Sequence, residues 1–227
     1  MKRLFGADSV LFQIMTMLLE LAQINVLFLL CCVPVVTAGA GAAAMYEALI
    51  VMHQRGEGAF SARRFFAAVR SHLKHMTPVW CICLAAMAGL VYGMLYWVSA
   101  VPGMRGKWMG AVYLLLLVLV NGFVQFLCMF AALGAGWHRD LIKDSFLLAA
   151  AKYPAVILTT FLSWSFLVLL LMPAAIILRL LPLILLFWIS SPGYVCTGML
   201  MKIMKPLYPE LFEDGSEEAD PEAAEEE

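Results

Sequence analysis

Residues 25–46 read NVLFLLCCVPVVTAGAGAAAMY, and the fold follows from how that stretch is read. An apolar run reaches Pro34, the chain turns through Val35, Val36 and Thr37, and a second helix restarts on small residues. Pro34 lacks an N–H and disfavours a helical residue before it, so the first helix should end near Val33. Thr37 is expected to cap the next helix at its N-terminus.

Working backward, Val10 to Val33 is 24 residues, enough at about 1.5 Å per residue to cross a ~30 Å hydrocarbon core with some tilt. Lys2 and Arg3 precede the run, and Ala38, Gly39 and Ala40 resemble a signal cleavage site. The apolar part of a cleaved signal is only about 7–15 residues, so the run is read as a retained first transmembrane helix. Gln13, Thr16, Glu20 and Gln23 recur at helical spacing and should form one polar stripe, with Asn25 pointing elsewhere. Working forward, residues 38–53 give a shorter second helix carrying Glu47. Ala40, Ala44, Glu47 and Val51 share a face, and Gly39 with Ala43 lets backbones approach closely. A tight antiparallel pair with the first helix is expected, with a re-entrant hairpin as the alternative.

Composition agrees. The chain has 227 residues, 63% hydrophobic and 14% charged, with mean hydropathy +0.89. A soluble chain needs about 25% charged residues, so lipid solvates most of this one. Ten of the 16 acids lie in the last 18 residues, which leaves the body basic. The six cysteines (Cys31, Cys32, Cys81, Cys83, Cys128, Cys196) sit in apolar runs without a CxxC pair and read as small helix- or lipid-facing residues.

Further along, Ser61 can cap an amphipathic helix in which Phe65, Phe66, Val69 and Leu73 oppose Arg63, Arg70 and Lys74, lying in a membrane interface. Pro78 then suits the first turn of a third span, residues 77–98, with Ala85, Gly89 and Gly93 as a close-packing stripe. A fourth span runs from 108 to about 136. A second polar segment, 137–152, precedes a fifth span at 154–178, kinked at Pro173, and a sixth follows at 181–201. Residues 60–98 and 137–176 echo each other: polar segment, proline (Pro78, Pro154), apolar span. Residues 207–227 form an acidic tail that cannot bury apolar surface and should be disordered. The reading is therefore all-α: a polytopic transmembrane bundle over 1–206 with six spans and interfacial amphipathic helices before spans three and five. With the N-terminus inside, 12 Lys and Arg lie on the inner segments and 3 (Arg105, Lys107, Arg179) on the outer ones. The positive-inside rule then gives N-in, C-in.

No phosphate loop, dinucleotide fingerprint, HExxH or GxSxG is present. His53, His72, His75 and His138 fall in the inner segments, where His72 and His75 read as part of a basic surface and not as metal ligands. Neither a metal nor a cofactor is expected, nor a nucleic-acid partner. Ionisable groups inside a membrane mark functional sites by default, and Glu20 and Glu47 are the two that require a reason. Counted from a turn near Val35 they reach similar depth and would share a proton or a cation. Asn121 and Gln125 lie one turn apart with Cys128 continuing their face, and such amides more often join helices than contact a solute. The four residues Glu20, Glu47, Asn121 and Gln125 form the candidate intramembrane polar site. The basic inner face would attract anionic lipid.

Asn25-Val-Leu-Phe, then Pro34-Val-Val-Thr37-Ala-Gly39 and Ala43-Ala-Met-Tyr46, resembles the YesL family of bacterial membrane proteins. Phe65-Phe66 followed by Ser71-His72-Leu73-Lys74 is similar to that family's next motif, and Lys143-Asp144-Ser145-Phe146 with Pro154 to a later one. Phe28 stands where tryptophan is common there, and His72 where asparagine is. The resemblance implies a multi-spanning protein of the bacterial inner membrane with no assigned activity, identified by Asn25, Pro34, Thr37, Gly39 and Tyr46. It also implies an association with carbohydrate uptake and sensing. The expected function is a non-enzymatic accessory to a carbohydrate transporter or sensor, docking through segments 55–74 and 137–152. The alternative is a small-solute or ion transporter whose path Glu20, Glu47, Asn121 and Gln125 would line.

Overall fold

Pro34 ends the first helix, as its missing N–H requires. The computed structural model describes residues 10–55, 61–101, 103–134, 139–170 and 190–210. Among these all regular structure is helical: α1 (Val10–Cys32), a 3-10 turn (Val35–Thr37), α2 (Ala38–Arg55), α3 (Ala62–Ala100), α4 (Met104–Ala132), α5 (Arg139–Ala151), α6 (Tyr153–Leu170) and α7 (Ser190–Met204). Helices α1 to α4 are each long and apolar enough to cross a membrane, and α5 with α6 supplies a fifth if that bent pair counts as one span. With its composition, this makes the chain a helical membrane protein. Pro173, Arg179, the start of the expected sixth span and the acidic tail from 211 onward lie outside the described residues.

The α1–α2 turn is closed differently from the sequence expectation. The Thr37 hydroxyl reaches back to Cys31 O at 2.6 Å and Pro34 O at 2.9 Å. It therefore serves the carbonyls at the end of α1, which have no intrahelical donor, and does not cap α2. Gly41 is the residue that meets α1, where an added Cβ would stand 2.9 Å from Cys31 Cβ. Gly39 faces α3 instead, and a Cβ there would stand 2.6 Å from Trp80 Cβ. The Trp80 indole N–H donates to Val35 O at 2.9 Å, fastening the turn to the middle of α3.

Helix α3 is continuous over 39 residues through Pro78, so no separate interfacial helix precedes the third span. Phe65, Ala68, Val69 and Met76 are buried along one side of it, so packing holds one helical register across the proline. Pro78 and Lys74 are both exposed, so the Lys74 carbonyl that Pro78 cannot serve is on the open side. Phe66, expected on the apolar face, is 50% exposed, because one residue turns the helix about 100° away from Phe65. The Ala85–Gly89–Gly93 stripe is used only in part. Gly93 packs on Tyr113 of α4, while a Cβ on Gly89 would meet nothing within 4 Å and Ala85 is exposed.

Helices α2 and α4 are the centre of the bundle. The first touches α1, α3, α4 and α7, and the second touches α2, α3, α5, α6 and α7. Small residues on α2 (Ala40, Ala43, Ala44) and the continuous run Gln125–Ala131 on α4 are buried there. The second polar segment behaves unlike the first: α5 and α6 meet at 93°. The α5 ladder stops where Lys152 N–H bonds Leu148 O, and Lys152 O then accepts from Ala155 and Val156 to start α6. Pro154 occupies the first turn of α6, where an N–H is not needed.

The basic segments converge at one end. Val51 lies near Ser61 and Arg64, and His53 near Lys202 and Lys205. Phe130 meets the Tyr208 ring edge-on at 5.1 Å. Burial, with the Asp144 carboxylate that it hydrogen-bonds, pushes the Tyr208 phenol up. The two hairpin turns are not level with each other. From Trp80 to Ala100 α3 runs 20 residues past the α1–α2 turn, about 30 Å or one hydrocarbon thickness. The six-span reading placed both turns on one face.

Candidate functional site

Gly39 and Trp80 set the register of α2 against α3, two antiparallel helices. Eight residues after Gly39 comes Glu47, and eight before Trp80 comes His72. The Glu47 Oε2 and His72 Nε2 atoms are 3.0 Å apart. Glu47, Ala44 and Val51, which the sequence placed on one face, line a cavity of about 50 Å³ with Ser61, Arg64 and Ala68 of the facing chain. One water-sized probe occupies roughly 10–15 Å³, so the space suits a few waters and not a sugar ring. The His72 side chain is 16% exposed and that of Glu47 41%, so the pair is open to solvent or headgroups on the carboxylate side. Arg64 adds a fixed positive charge to the same cavity. Chemically the arrangement sets a carboxylate against an imidazole beside a guanidinium. Among the described residues no three His, Cys, Asp or Glu side chains gather as a metal would require.

The remaining candidate residues fall elsewhere. Glu20 is 7% exposed on the face of α1 that also buries Leu21, Ile24 and Asn25. Helix α1 runs through all four positions of the polar stripe, with Glu20 buried and Gln13 and Gln23 exposed. Gln23 lies about 60° around the helix from Glu20, beyond the edge of the buried face. Asn121 and Gln125 belong to a different contact, made with α6. Gln125 Nε2 donates to Asn121 Oδ1 at 2.8 Å and lies 3.4 Å from Ser163 Oγ. The Thr160 hydroxyl also donates to Asn121 Oδ1, at 3.2 Å. Ser163 stands 3.9 Å from Cys196 of α7, whose thiol points to Thr159 O at 3.7 Å. The amides therefore join α4 to α6, and Ser163 and Thr159 carry the contact on to α7; Gly122 lets α6 close in, because any Cβ there would collide with Val156.

The five motif residues also do structural work. Asn25 is fully buried and its Oδ1 accepts the Ser190 N–H of α7 at 3.2 Å. Pro34 and Thr37 close the turn, Gly39 admits Trp80, and Tyr46 is buried in the core. The sequence reading missed Trp80, Thr160 and Ser163, and it treated His72 as part of a surface instead of as the partner of Glu47. The signal available for His72 was the register set by Gly39, which is legible only once Trp80 is known to face it.

Residues 21–98 match the family described as "Protein of unknown function, DUF624". The matched stretch runs from within α1 to near the end of α3, the hairpin together with the long helix it is fastened to. No curated protein and no solved structure matches the chain.

Proposed function

We propose that this is a multi-pass protein of the bacterial inner membrane that works without catalysis as an accessory to a carbohydrate uptake or sensing complex. The partner docks on the basic end of the bundle. The YesL-like motif supports the setting, and the match to an uncharacterised family agrees with it. The observation that carries the docking role is a mixed face on α3, where exposed Phe66 stands at helical spacing with the exposed cations Arg63, Arg70 and Lys74; α5 separately exposes Ile142, Phe146 and Leu147. Apolar side chains gathered within a polar rim mark interaction sites, and their charge suits an acidic partner surface.

Affinity purification of the tagged chain in mild detergent, with mass spectrometric identification, tests this. The expected result is recovery of a sugar permease or sensor subunit, lost in Phe66→Glu/Phe146→Glu. Recovery of this chain alone under several solubilisation conditions overturns it. The second reading, transport by this chain itself, draws on the buried Glu20 and on the Glu47–His72 pair. Proton or solute flux into proteoliposomes holding only this protein, abolished by Glu47→Gln, would put that reading first.

A further inference from the structure

At the basic end, α2 and α7 leave a cavity of about 480 Å³, lined among others by His53, Tyr194, Val195, Met199, Lys202 and Lys205. That volume falls in the range of small-ligand clefts, roughly 300–1,000 Å³. Its two walls differ in character. On α7, Val195, Met199 and Lys202 follow one another by four and three residues and so stack on one helix face. Val195 is exposed, and over seven residues, about 10 Å, this face passes from apolar to cationic. Lys205 follows within one turn, so two exposed ammonium groups close that end.

On α2 the wall is His53. Its Nδ1 is 3.0 Å from Leu49 O, an atom that only accepts, so Nδ1 carries a proton. Its ring stacks on Tyr194 with centroids 4.0 Å apart. Nε2 is then the atom presented toward α7, where a Cβ on Gly198 would stand 2.8 Å from it. Gly198 keeps the imidazole at the cavity, beside the two lysines.

We propose that this cavity holds the headgroup phosphate of an anionic glycerophospholipid. The phosphate sits against Lys202, Lys205 and His53, and the acyl root lies along Val195 and Met199. Compact ammonium charges are good phosphate partners, and basic pockets between membrane helices recur as anionic-headgroup sites. The apolar wall selects a lipid over a free anion, since inorganic phosphate gains nothing from Val195 and Met199. The site is independent of any carbohydrate-linked partner.

The test uses the purified full chain in a neutral detergent, with thermal unfolding followed while phosphatidylglycerol, phosphatidylcholine or inorganic phosphate is added. Phosphatidylglycerol should raise the unfolding midpoint saturably, and the other two should not. Lys202→Gln/Lys205→Gln should weaken the apparent affinity for phosphatidylglycerol roughly tenfold or more. Arg105→Gln/Lys107→Gln, at the opposite end of α4, should leave it unchanged and so exclude a general charge effect. The proposal is overturned by no saturable shift in the unsubstituted protein, an equal loss in both double variants, or undiminished binding to Lys202→Gln/Lys205→Gln. A shift of the same size from inorganic phosphate alone also overturns it, as a free-anion site.

Discussion

At Gly39 a hydrogen in place of a side chain lets Trp80 lie against the α1–α2 turn and bond Val35 O. Gly39→Leu should therefore overpack the contact and cost about 1–3 kcal/mol, read as a lower unfolding midpoint in mild detergent. Trp80→Phe keeps most of the volume and loses the hydrogen bond, roughly 1 kcal/mol. The clash predicts coupling: Gly39→Ala should cost less in a Trp80→Ala background than alone, and strictly additive penalties would separate the two residues. For Glu47 and His72, the exposure of the carboxylate limits what their contact contributes. A double-mutant cycle with Glu47→Gln and His72→Gln should give a coupling below about 1 kcal/mol that shrinks as salt is raised. A coupling of several kcal/mol would mean that the pair is shielded from solvent. Glu47 stood out in the sequence as a charge in an apolar run, but its partner, 25 positions further on, did not, because the chain between them carries no mark of the α2–α3 register.

Two prolines with the same local context end differently at the scale of the helix. Pro78 is carried inside α3, whereas Pro154 begins α6 after a 93° bend. Local stereochemistry disfavours both positions in a helix interior. The burial of Phe65, Ala68, Val69 and Met76 along one line of α3 overrides it at the first. The sequence echo between the two halves was therefore legible as a pattern and not as a shared geometry. The α4–α6–α7 contact yields a graded prediction. Asn121 Oδ1 accepts from both Gln125 and Thr160, whereas Ser163 sits at the edge of the network. Interhelical hydrogen bonds in membranes average about 0.6 kcal/mol, reaching 1–2 kcal/mol. Asn121→Leu should thus lower stability clearly more than Ser163→Ala in detergent unfolding. Equal small effects would reduce the amides to bystanders.

Across the whole molecule, the α1–α2 hairpin and the far half of the α3–α4 hairpin occupy different levels along α3. The far half has little helix around it: Ile82, Val91, Tyr92, Leu95, Tyr96 and Val98 of α3 are exposed, as are Trp108, Val112, Leu114 and Leu115 of α4. An apolar surface of that extent needs lipid. In a background without native cysteines, single cysteines at Val36 and Gly103 should not both be labelled by an impermeant maleimide from the same side of the membrane. Labelling of both from one side would place the two turns level and contradict the offset along α3.

Composition by itself determined that this chain lives in lipid, since 14% charged residues do not cover a water-exposed surface. Local stereochemistry determined the break at Pro34, the helix on either side of it and the start of α6 at Pro154, because a missing N–H acts without help from distant residues. Only tertiary packing decided which face of α2 meets which neighbour, that Pro78 stays inside a helix, and that Glu47 pairs with His72 while Asn121 and Gln125 turn to α6. Those outcomes depend on the registers between helices. Registers are set by contacts such as Gly39–Trp80 and Gly122–Val156 between residues far apart in the chain, and no periodicity within a single helix encodes them.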